Sequence, residues 1–338
     1  MRISTANSVS TTIITLAQDK SSLSFGQLPN GIARYRLSPS RQISQWHNPC
    51  QGAYMSKLIQ IRQRIKAIET IKKITHAMRL VSMSSHSRLR GKREALTRYA
   101  DTVDETFNYV RRYVPDWSHH AMGPAPDEQK RRLVILVGSQ KSLCGTFNIA
   151  LLNYYKRHGI EEIPTDIVVV GKKTVELVKE LLDIKPHAAF EKLSPDHIAT
   201  ITRSIGRIIF NASPAYSRVE LYGNILKTFF SQRPTTKTLL PLEDMQQASK
   251  PSRHAEEAYL WEHEPKKILD VLLEQYIESR VQHALFESLL AEQAARFVSM
   301  DNSTRNAQKL LETTQARYNK LRQAKITKEL TELTGSYS

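Results

Sequence analysis

Two long stretches of the chain carry apolar side chains at helical spacing. Between positions 277 and 298, apolar or small residues recur at alternating intervals of four and three, on one stripe of a helix. They are Ile277, Val281, Ala284, Ser288, Ala291, Ala295 and Val298. The spacing averages about 3.5 residues, the period at which helices supercoil, and the small residues would let a partner backbone approach closely. We therefore expect a second helix to cover this stripe.

The second stretch runs from Ser56 to Val114. Its apolar residues follow at intervals of three or four: Leu58, Ile61, Ile65, Ile68, Ile71, Ile74, Met78 and Val81. Prolines are absent from this stretch and from Lys266 to Ser338, and Gly91 and Gly335 are the only glycines in the two. Both stretches are therefore predicted to be unbroken helices, roughly 90 and 100 Å long. Neither can bury its stripe alone, so we predict a long antiparallel coiled coil with the intervening chain inserted at one end.

The inserted region, Asp116 to Pro265, alternates strand and helix patterns. The predicted elements are a strand at Leu133 to Val137, a helix at Phe147 to His158, a strand at Ile167 to Val170, helices at Lys172 to Leu182 and Pro195 to Phe210, and strands at Arg218 to Tyr222 and Leu226 to Ser231. This order predicts a small parallel sheet with right-handed crossovers. The fold class is therefore α/β, with a Rossmann-like domain inserted into the coiled coil.

The chain divides into four segments on this basis. Residues 1–54 form an extension, 55–115 the first coiled-coil helix, 116–265 the α/β domain with an acidic connector, and 266–338 the second coiled-coil helix. The extension is rich in Ser and Thr and has Asp19 as its only acid, a composition like that of an organellar transit peptide. The alternative is an upstream extension of a reading frame that starts at Met55, disordered if it is made.

Charge distinguishes the first helix from the rest of the chain. Of the net charge of +16, residues 55–115 carry +9, from 14 basic and 5 acidic side chains. Such a basic helix is typical of proteins that bind nucleic acid, an anionic membrane or an acidic protein surface. The basic run from Arg79 to Arg98 could bind phosphates, but it lacks aromatic residues on which bases could stack. We therefore favour a helix that faces solvent or an acidic protein surface, and keep nucleic-acid binding as the alternative. The sequence has no run of about 18 apolar residues, so we predict no membrane span.

The loop from Gly138 to Asn148 is the main candidate for chemistry. It follows a strand and opens a helix, but it lacks the Gly-Lys-Ser/Thr ending of a P-loop and the three glycines of the dinucleotide fingerprint. Cys144 lies near Lys141 and could be a reactive thiol, although such a cysteine is more often a buried filler. No HxxxH or CxxC pair occurs in the sequence. We therefore predict a structural turn, with no catalytic residues, no cofactor and no metal, and keep a nucleotide-binding enzyme as a weaker alternative.

Five segments of the chain form a distinctive set. They are IRQRIKAIETIKKITHAM (Ile61 to Met78) in the first helix, SLCGTFN (Ser142 to Asn148) in the loop, LYGNILKTFFSQRPTTKTLLPL (Leu221 to Leu242) in the final strands, and ESLLAEQAARFVSMDNSTRNA (Glu287 to Ala307) with YNKLRQAKITKELTEL (Tyr318 to Leu333) in the last helix. Together they resemble the opening helix, the loop of the form DRGLCGGFN, the final strands and the C-terminal signature of the gamma subunit of rotary ATP synthases, the central shaft of the soluble ATPase sector. The resemblance covers about Met55 to Ser338.

The resemblance implies a role without bond chemistry. In the family, the tip of the coiled coil enters a ring of alternating alpha and beta subunits, and the α/β domain sits on the membrane c-ring beside the epsilon-type subunit. Ion flow turns this shaft, whose asymmetric faces drive each beta subunit through its nucleotide-binding states. The chain would then be a non-catalytic, peripheral subunit on the cytoplasmic face of a bacterial inner membrane, or alternatively on the matrix side of the mitochondrial inner membrane.

The resemblance also implies contacts between the shaft and beta subunits. They map to Met78 and Arg79 on the first helix and to Arg296, Gln323 and Thr327 on the last. Family members usually have an acid at the position of Arg79.

Beyond Val298 the strict spacing of the C-terminal stripe lapses. The continuing positions carry Asn302, Arg305 and Lys309. We interpret this part of the shaft as the section that faces other subunits.

Overall fold

A computed structural model describes residues 49–114, 116–119, 130–160, 163–242, 262 and 264–335, with side chains from residue 56 onward. The predicted extension, residues 1–54, therefore lies outside the described residues except for the helical backbone at 49–54. Most of the acidic connector before residue 265 also lies outside them. The chain from Cys50 to Ser338 forms one compact unit. The finer division at residues 115 and 265 stays a prediction.

Two helices of unusual length dominate this unit. The first, α1, spans Pro49–Arg111, and the last, α5, spans Pro265–Gly335. Both are unbroken, as predicted, and are about 95 and 105 Å long. Pro115 follows the end of α1, where proline disfavours helix in the residue before it, and Pro265 opens α5, where its missing N–H costs nothing.

The two helices run antiparallel. Contacts between them pair rising residue numbers in α1 with falling numbers in α5: Lys72 with Gln308, Thr75 with Thr304, Arg79 with Asp301, Arg93 with Glu287, Asp104 with Arg280, and Phe107 with Tyr276. The predicted antiparallel pairing is therefore confirmed.

The face of α1 that packs on α5 agrees with the predicted stripe as far as Ile68, which packs with Ala307 and Leu311, and departs from it after that residue. Ile68 is buried, but Ile71, Ile74 and Val81 are 54%, 54% and 65% exposed. The predicted residues follow one another mostly at intervals of three, which is shorter than the 3.5-residue period of a seam, so they rotate away from α5. The seam positions in this part of α1 carry polar residues instead: Lys72, Thr75, Arg79, Ser82 and His86.

The small-residue stripe of α5 is also covered differently from the prediction. Its second half faces the inserted domain: the Ser288 hydroxyl donates to the Val137 carbonyl at 3.2 Å, and Ala291 and Ala295 pack against Cys144 and Phe147. The expectation that α1 covers this half is therefore wrong. Small side chains here admit the end of a strand and its loop, whereas the larger side chains of the neighbouring α5 face contact α1.

The pairing with α1 continues along α5 beyond Val298. The seam follows one stripe of α5 that already includes Arg280 and Glu287, and Met300, Ala307 and Leu311 are buried along its continuation. Asn302, Arg305 and Lys309 continue the first stripe and are exposed. The spacing therefore lapses where the inserted domain stops packing on α5. The coiled coil with α1 continues beyond that point.

The inserted region forms a five-stranded sheet. Its elements are β1 Arg132–Val137, α2 Phe147–His158, β2 Thr165–Val170, α3 Lys172–Leu182, β3 Ala188–Phe190, α4 Ile198–Phe210, β4 Arg218–Thr228 and β5 Ser231–Leu240. The strand order is β3-β2-β1-β4-β5, with β5 antiparallel to β4 and the other pairs parallel. The predicted α/β class is confirmed.

Two details of the predicted sheet are wrong. The strand expected at Leu226 to Ser231 is instead the end of β4 and a tight turn at Phe229 and Phe230, and β5 follows from Ser231. The sequence of β5 is polar and half-buried at the sheet edge, so it has no apolar run to reveal it. The three-residue strand β3 is too short to produce a pattern.

The sheet has a hydrophobic core on each face. One face packs with α1, α4 and α5 through residues that include Leu133, Ile135 and Val137. The other packs with α2 and α3 around Val134 and Leu136. Because β1 is buried on both faces, its sequence is a continuous apolar run. Among the described residues, no helix has the length and apolarity needed to cross a membrane.

Candidate functional site

The loop after β1 lies where doubly wound sheets commonly bind ligands. Its neighbours β2 and β4 lie on opposite sides of β1, which makes the carboxyl end of β1 a topological switch point. In this chain α5 fills that crevice. Besides the bond from Ser288 to Val137, the carboxylate of Glu292 accepts from the Gln140 backbone N–H at 3.3 Å. A nucleotide in this crevice would have to displace α5, so the geometry gives the enzyme alternative no support.

Short polar bonds within the loop hold its shape. The Ser139 backbone N–H donates to Asn148 Oδ1 at 2.9 Å, and Asn148 Nδ2 donates to Ser139 Oγ at 2.7 Å. Burial raises the pKa of the Cys144 thiol, although a hydrogen bond with Ser139 opposes this shift. A thiol that stays protonated is a poor nucleophile, so Cys144 is better described as a buried filler than as a reactive group.

Arg296 fastens this loop to α5. Its side chain is 5% exposed and binds the buried carboxylate of Glu292 four residues earlier. It also donates to the carbonyl oxygens of Lys141 at 3.3 Å and Ser142 at 3.4 Å. Burial raises the pKa of Glu292, and the Arg296 guanidinium opposes that shift. The donors of Arg296 are therefore engaged within the chain.

A cleft beside this loop is the strongest candidate for binding a partner. Its volume is about 740 Å³, and we call it the basic cleft. Its apolar wall includes Met78, Val81, Leu89, Leu193 and Leu289, and its charged lining comprises Arg88, Lys92, Lys141, Arg296, Asp196 and Glu292. Arg296 and Glu292 neutralise each other, so three basic side chains face one acid. This composition suits a segment that carries both acidic and apolar side chains.

The remaining predicted contact residues lie outside the basic cleft. Arg79 binds Asp301 across the seam at 2.6 Å, and Arg305 binds the same carboxylate at 2.7 Å. The bond from Arg79 is the main reason why the pKa of Asp301 is lowered. Gln323 and Thr327 are exposed near the end of α5, about 40 Å along the helix from Arg296. The structure thus groups Met78 and Arg296 but separates them from Gln323 and Thr327.

Two arginines of the basic run, Arg79 and Arg93, form ion pairs within the chain. Arg79 binds Asp301, and Arg93 binds the buried carboxylate of Glu287 through two bonds of 2.6 and 3.0 Å. These two guanidiniums therefore point into the seam. The run does not present one continuous basic surface to a phosphate backbone, which weakens the nucleic-acid alternative.

Comparison with known proteins identifies the family. A family model described as ATP synthase matches residues 57–338. The ATP synthase gamma chain of Legionella pneumophila is 31% identical over 289 residues, which cover 82% of this chain and 96% of that relative. The chain belongs to the ATP synthase gamma chain family. A second gamma chain, from Acinetobacter baumannii, is 29% identical over 83% of this chain and 98% of its own length.

A solved structure supports the same fold for this gamma-family chain. The match is to a chain in the cryo-EM structure of the Euglena gracilis mitochondrial ATP synthase, OSCP/F1/c-ring, with a TM-score of 0.59 and 18% sequence identity. It covers 83% of this chain and 94% of that chain. The predicted architecture of paired long helices with an inserted sheet is therefore confirmed.

Sequence reasoning missed two residues that shape the site. Glu292 and Arg296 lie four residues apart on the helix, a spacing that indicates a pair of opposite charges but not its burial. Asp301 was missed as the partner of Arg79. The two residues are 222 positions apart in the sequence, and the register between α1 and α5, which brings them together, is known only from the structure.

Proposed function

We propose that this gamma-family chain is the rotating central stalk subunit of an ATP synthase, a non-catalytic subunit that transmits torque between a membrane ion-driven ring and an alpha/beta hexamer. One observation carries the proposal: α5 is unbroken over 71 residues and runs from the core of the sheet domain to the far end of the coiled coil. A force on the sheet domain is therefore passed directly to the far end of α5. The shaft itself makes and breaks no bonds.

The far end of α5 suits a bearing inside a ring. Ile326 and Leu330 are 48% and 58% exposed and lie one turn apart on the same face. Apolar side chains make few directional contacts, so they can slide against an apolar sleeve. Gln323 and Thr327, which lie beside them, are proposed contacts with beta subunits at this level.

The basic cleft is the second proposed contact with the hexamer. We propose that it receives an acidic loop of a beta subunit, with Met78 in its wall. Arg296 would act there by holding the cleft's loop in place, and Arg79 by fastening α1 to α5 beside it. The direct contacts of Arg79 and Arg296 with beta stay predictions.

The proposed membrane-side partners are the c-ring and an epsilon-type subunit, which would bind the sheet domain. The chain would be peripheral, on the cytoplasmic face of a bacterial inner membrane or on the matrix side of a mitochondrial one. The bacterial relatives support the first location, and the Ser/Thr-rich composition of residues 1–54 supports the second.

Co-purification tests the proposal. Affinity-tagged full chain should bring down alpha and beta ATPase subunits from its own cells, identified by mass spectrometry. If it brings down neither and instead retains salt-sensitive DNA, the shaft function is wrong and the nucleic-acid alternative is favoured.

Charge reversal tests the basic cleft. The variant Arg88→Glu/Lys92→Glu should weaken recovery of the beta subunit at least about tenfold, because it replaces attraction to an acidic loop by repulsion. The matched control Lys179→Glu/Lys185→Glu makes the same charge change on exposed residues of α3 and the segment after it. Equal recovery with both double variants would remove the basic cleft from the proposal.

A further inference from the structure

The tip of the β4–β5 hairpin touches both long helices next to a section of their seam that carries polar side chains. Phe229 lies with its ring centroid 4.8 Å from that of His86 in α1, edge to face at 83°. The same ring lies 5.1 Å from Phe297 in α5, at 61°. Phe229 thus connects the sheet domain to both helices of the shaft at one point.

The seam beside this contact is held by polar side chains. Thr75 bonds Thr304 at 3.0 Å, and Arg79 forms its ion pair with Asp301. Partly exposed polar pairs of this kind contribute little net stability, because solvent screens them. Phe229 and Phe297 are both half-buried, so their ring contact adds apolar burial to a section that is otherwise held by such pairs.

His86 is the titratable member of the contact. It is 6% exposed, and its Nε2 has no hydrogen-bond partner among the residues that the structure describes. Burial lowers the pKa of His86, and the positive charge of Arg90 on the same helix lowers it further. The hairpin and α5 present uncharged rings, Phe229 and Phe297, so neither supplies a carboxylate for an imidazolium.

We propose that Phe229 is a latch between the sheet domain and the shaft, and that protonation of His86 opens it. An imidazolium at this position would be buried without an acceptor and beside Arg90. Movement of the hairpin tip away from α1 would let water reach the charged ring. The polar seam at Thr75 and Arg79 would then be free to separate or twist.

The direction of the pH effect follows from proton binding. The closed latch holds His86 at a lowered pKa, so the open state binds the proton more readily. The closed state is favoured above the ordinary histidine pKa of about 6.5 and loses that advantage as the pH falls below it. The opening equilibrium should rise by up to about tenfold for each pH unit in that range.

Hydrogen–deuterium exchange of the full chain at about pH 8 and about pH 5, corrected for intrinsic exchange rates, tests the latch. In the wild type, protection at residues 76–90 and 226–232 should fall by about tenfold on acidification, while β1 and β2 stay protected. His86→Phe keeps a ring that cannot titrate and should remain protected at both pH values. Phe229→Ala should be open at both.

Phe230→Ala is the matched control. Phe230 is the next residue, is 73% exposed and contacts the ring of Phe229 edge to face at 5.2 Å, so this variant should change protection much less than Phe229→Ala does and should keep the wild-type response to pH. The pKa of His86, followed by NMR and assigned by its loss in His86→Phe, should rise toward the ordinary value in Phe229→Ala. The proposal fails if acidification leaves the wild-type protection unchanged, or if His86→Phe loses protection as the wild type does. These measurements use the chain alone, so they are independent of its role in a ring.

Discussion

Removal of Arg296 should destabilise the chain far more than removal of an exposed arginine on the same helix. Arg296→Ala leaves the carboxylate of Glu292 buried without its cation and leaves two loop carbonyls without their donor. Breaking a buried pair from one side costs about 3–5 kcal/mol. At about 2–4 °C per kcal/mol, Tm should fall by about 6–20 °C.

The control for this prediction is Arg305→Ala. Arg305 also binds an acid four residues earlier, but its side chain is 73% exposed. Exposed pairs at this spacing contribute about 0.3–0.5 kcal/mol, so Tm should change by no more than about 2 °C. Thermal unfolding followed by circular dichroism measures both variants. Similar shifts for the two would refute the role given to burial.

The stability of Arg296→Ala should also depend on pH. Without Arg296, the pKa of Glu292 in the folded state should rise further above its unfolded value, because only the backbone N–H groups of Gln140 and Lys141 then oppose desolvation. A raised carboxyl pKa means that the folded state gains stability as the pH falls through that pKa. The Tm deficit of Arg296→Ala should therefore shrink at acidic pH. The apolar pair Glu292→Leu/Arg296→Met should recover part of the loss at neutral pH.

Three further predictions concern other parts of the chain. In an Arg305→Ala background, which removes the second partner of Asp301, Arg79→Glu should lower stability by about 1 kcal/mol and the swap Arg79→Glu/Asp301→Arg should restore it. Urea denaturation measures both, and no recovery would contradict the pairing of Arg79 with Asp301. Gly171→Ala should lower the free energy of unfolding by about 1–3 kcal/mol in urea denaturation, because φ is +104° and a Cβ would lie 2.6 Å from the carbonyl oxygen of Ser139. In the control Gly91→Ala the added Cβ meets nothing within 4 Å, so this variant should be neutral or stabilising. Deletion of residues 1–54 should leave co-purification with alpha and beta subunits intact, and its loss would assign this segment a role in assembly.

Sequence patterns predicted elements well where burial is one-sided or complete. The bounds of α2 and α3 match the structure, and β1 was evident because it is buried on both faces. The polar edge strand β5 could not be found in this way. It is held in the sheet by backbone hydrogen bonds to β4, and these leave no pattern in the side chains.

The partner of each helix face was harder to predict than the helix itself. Spacing shows that the stripe from Ile277 to Val298 must be covered, but a small residue admits a strand end as readily as a helix. The register that joins Arg79 to Asp301 likewise depends on which face of α1 meets α5. That choice is made by all the contacts together, among them the sheet domain, and cannot be read from either helix alone.

The position of α5 in the crevice after β1 has a consequence for how this molecule can be taken apart. In an enzyme of this architecture the crevice is empty until a ligand diffuses in, and it empties again. Here α5 of the same chain fills the crevice. Ser288 bonds to Val137 at the end of β1, and Glu292 bonds to Gln140 in the loop that follows. Movement of α5 relative to the sheet would break these bonds and expose the core that the two share, so a torque on the sheet domain turns the helix with it.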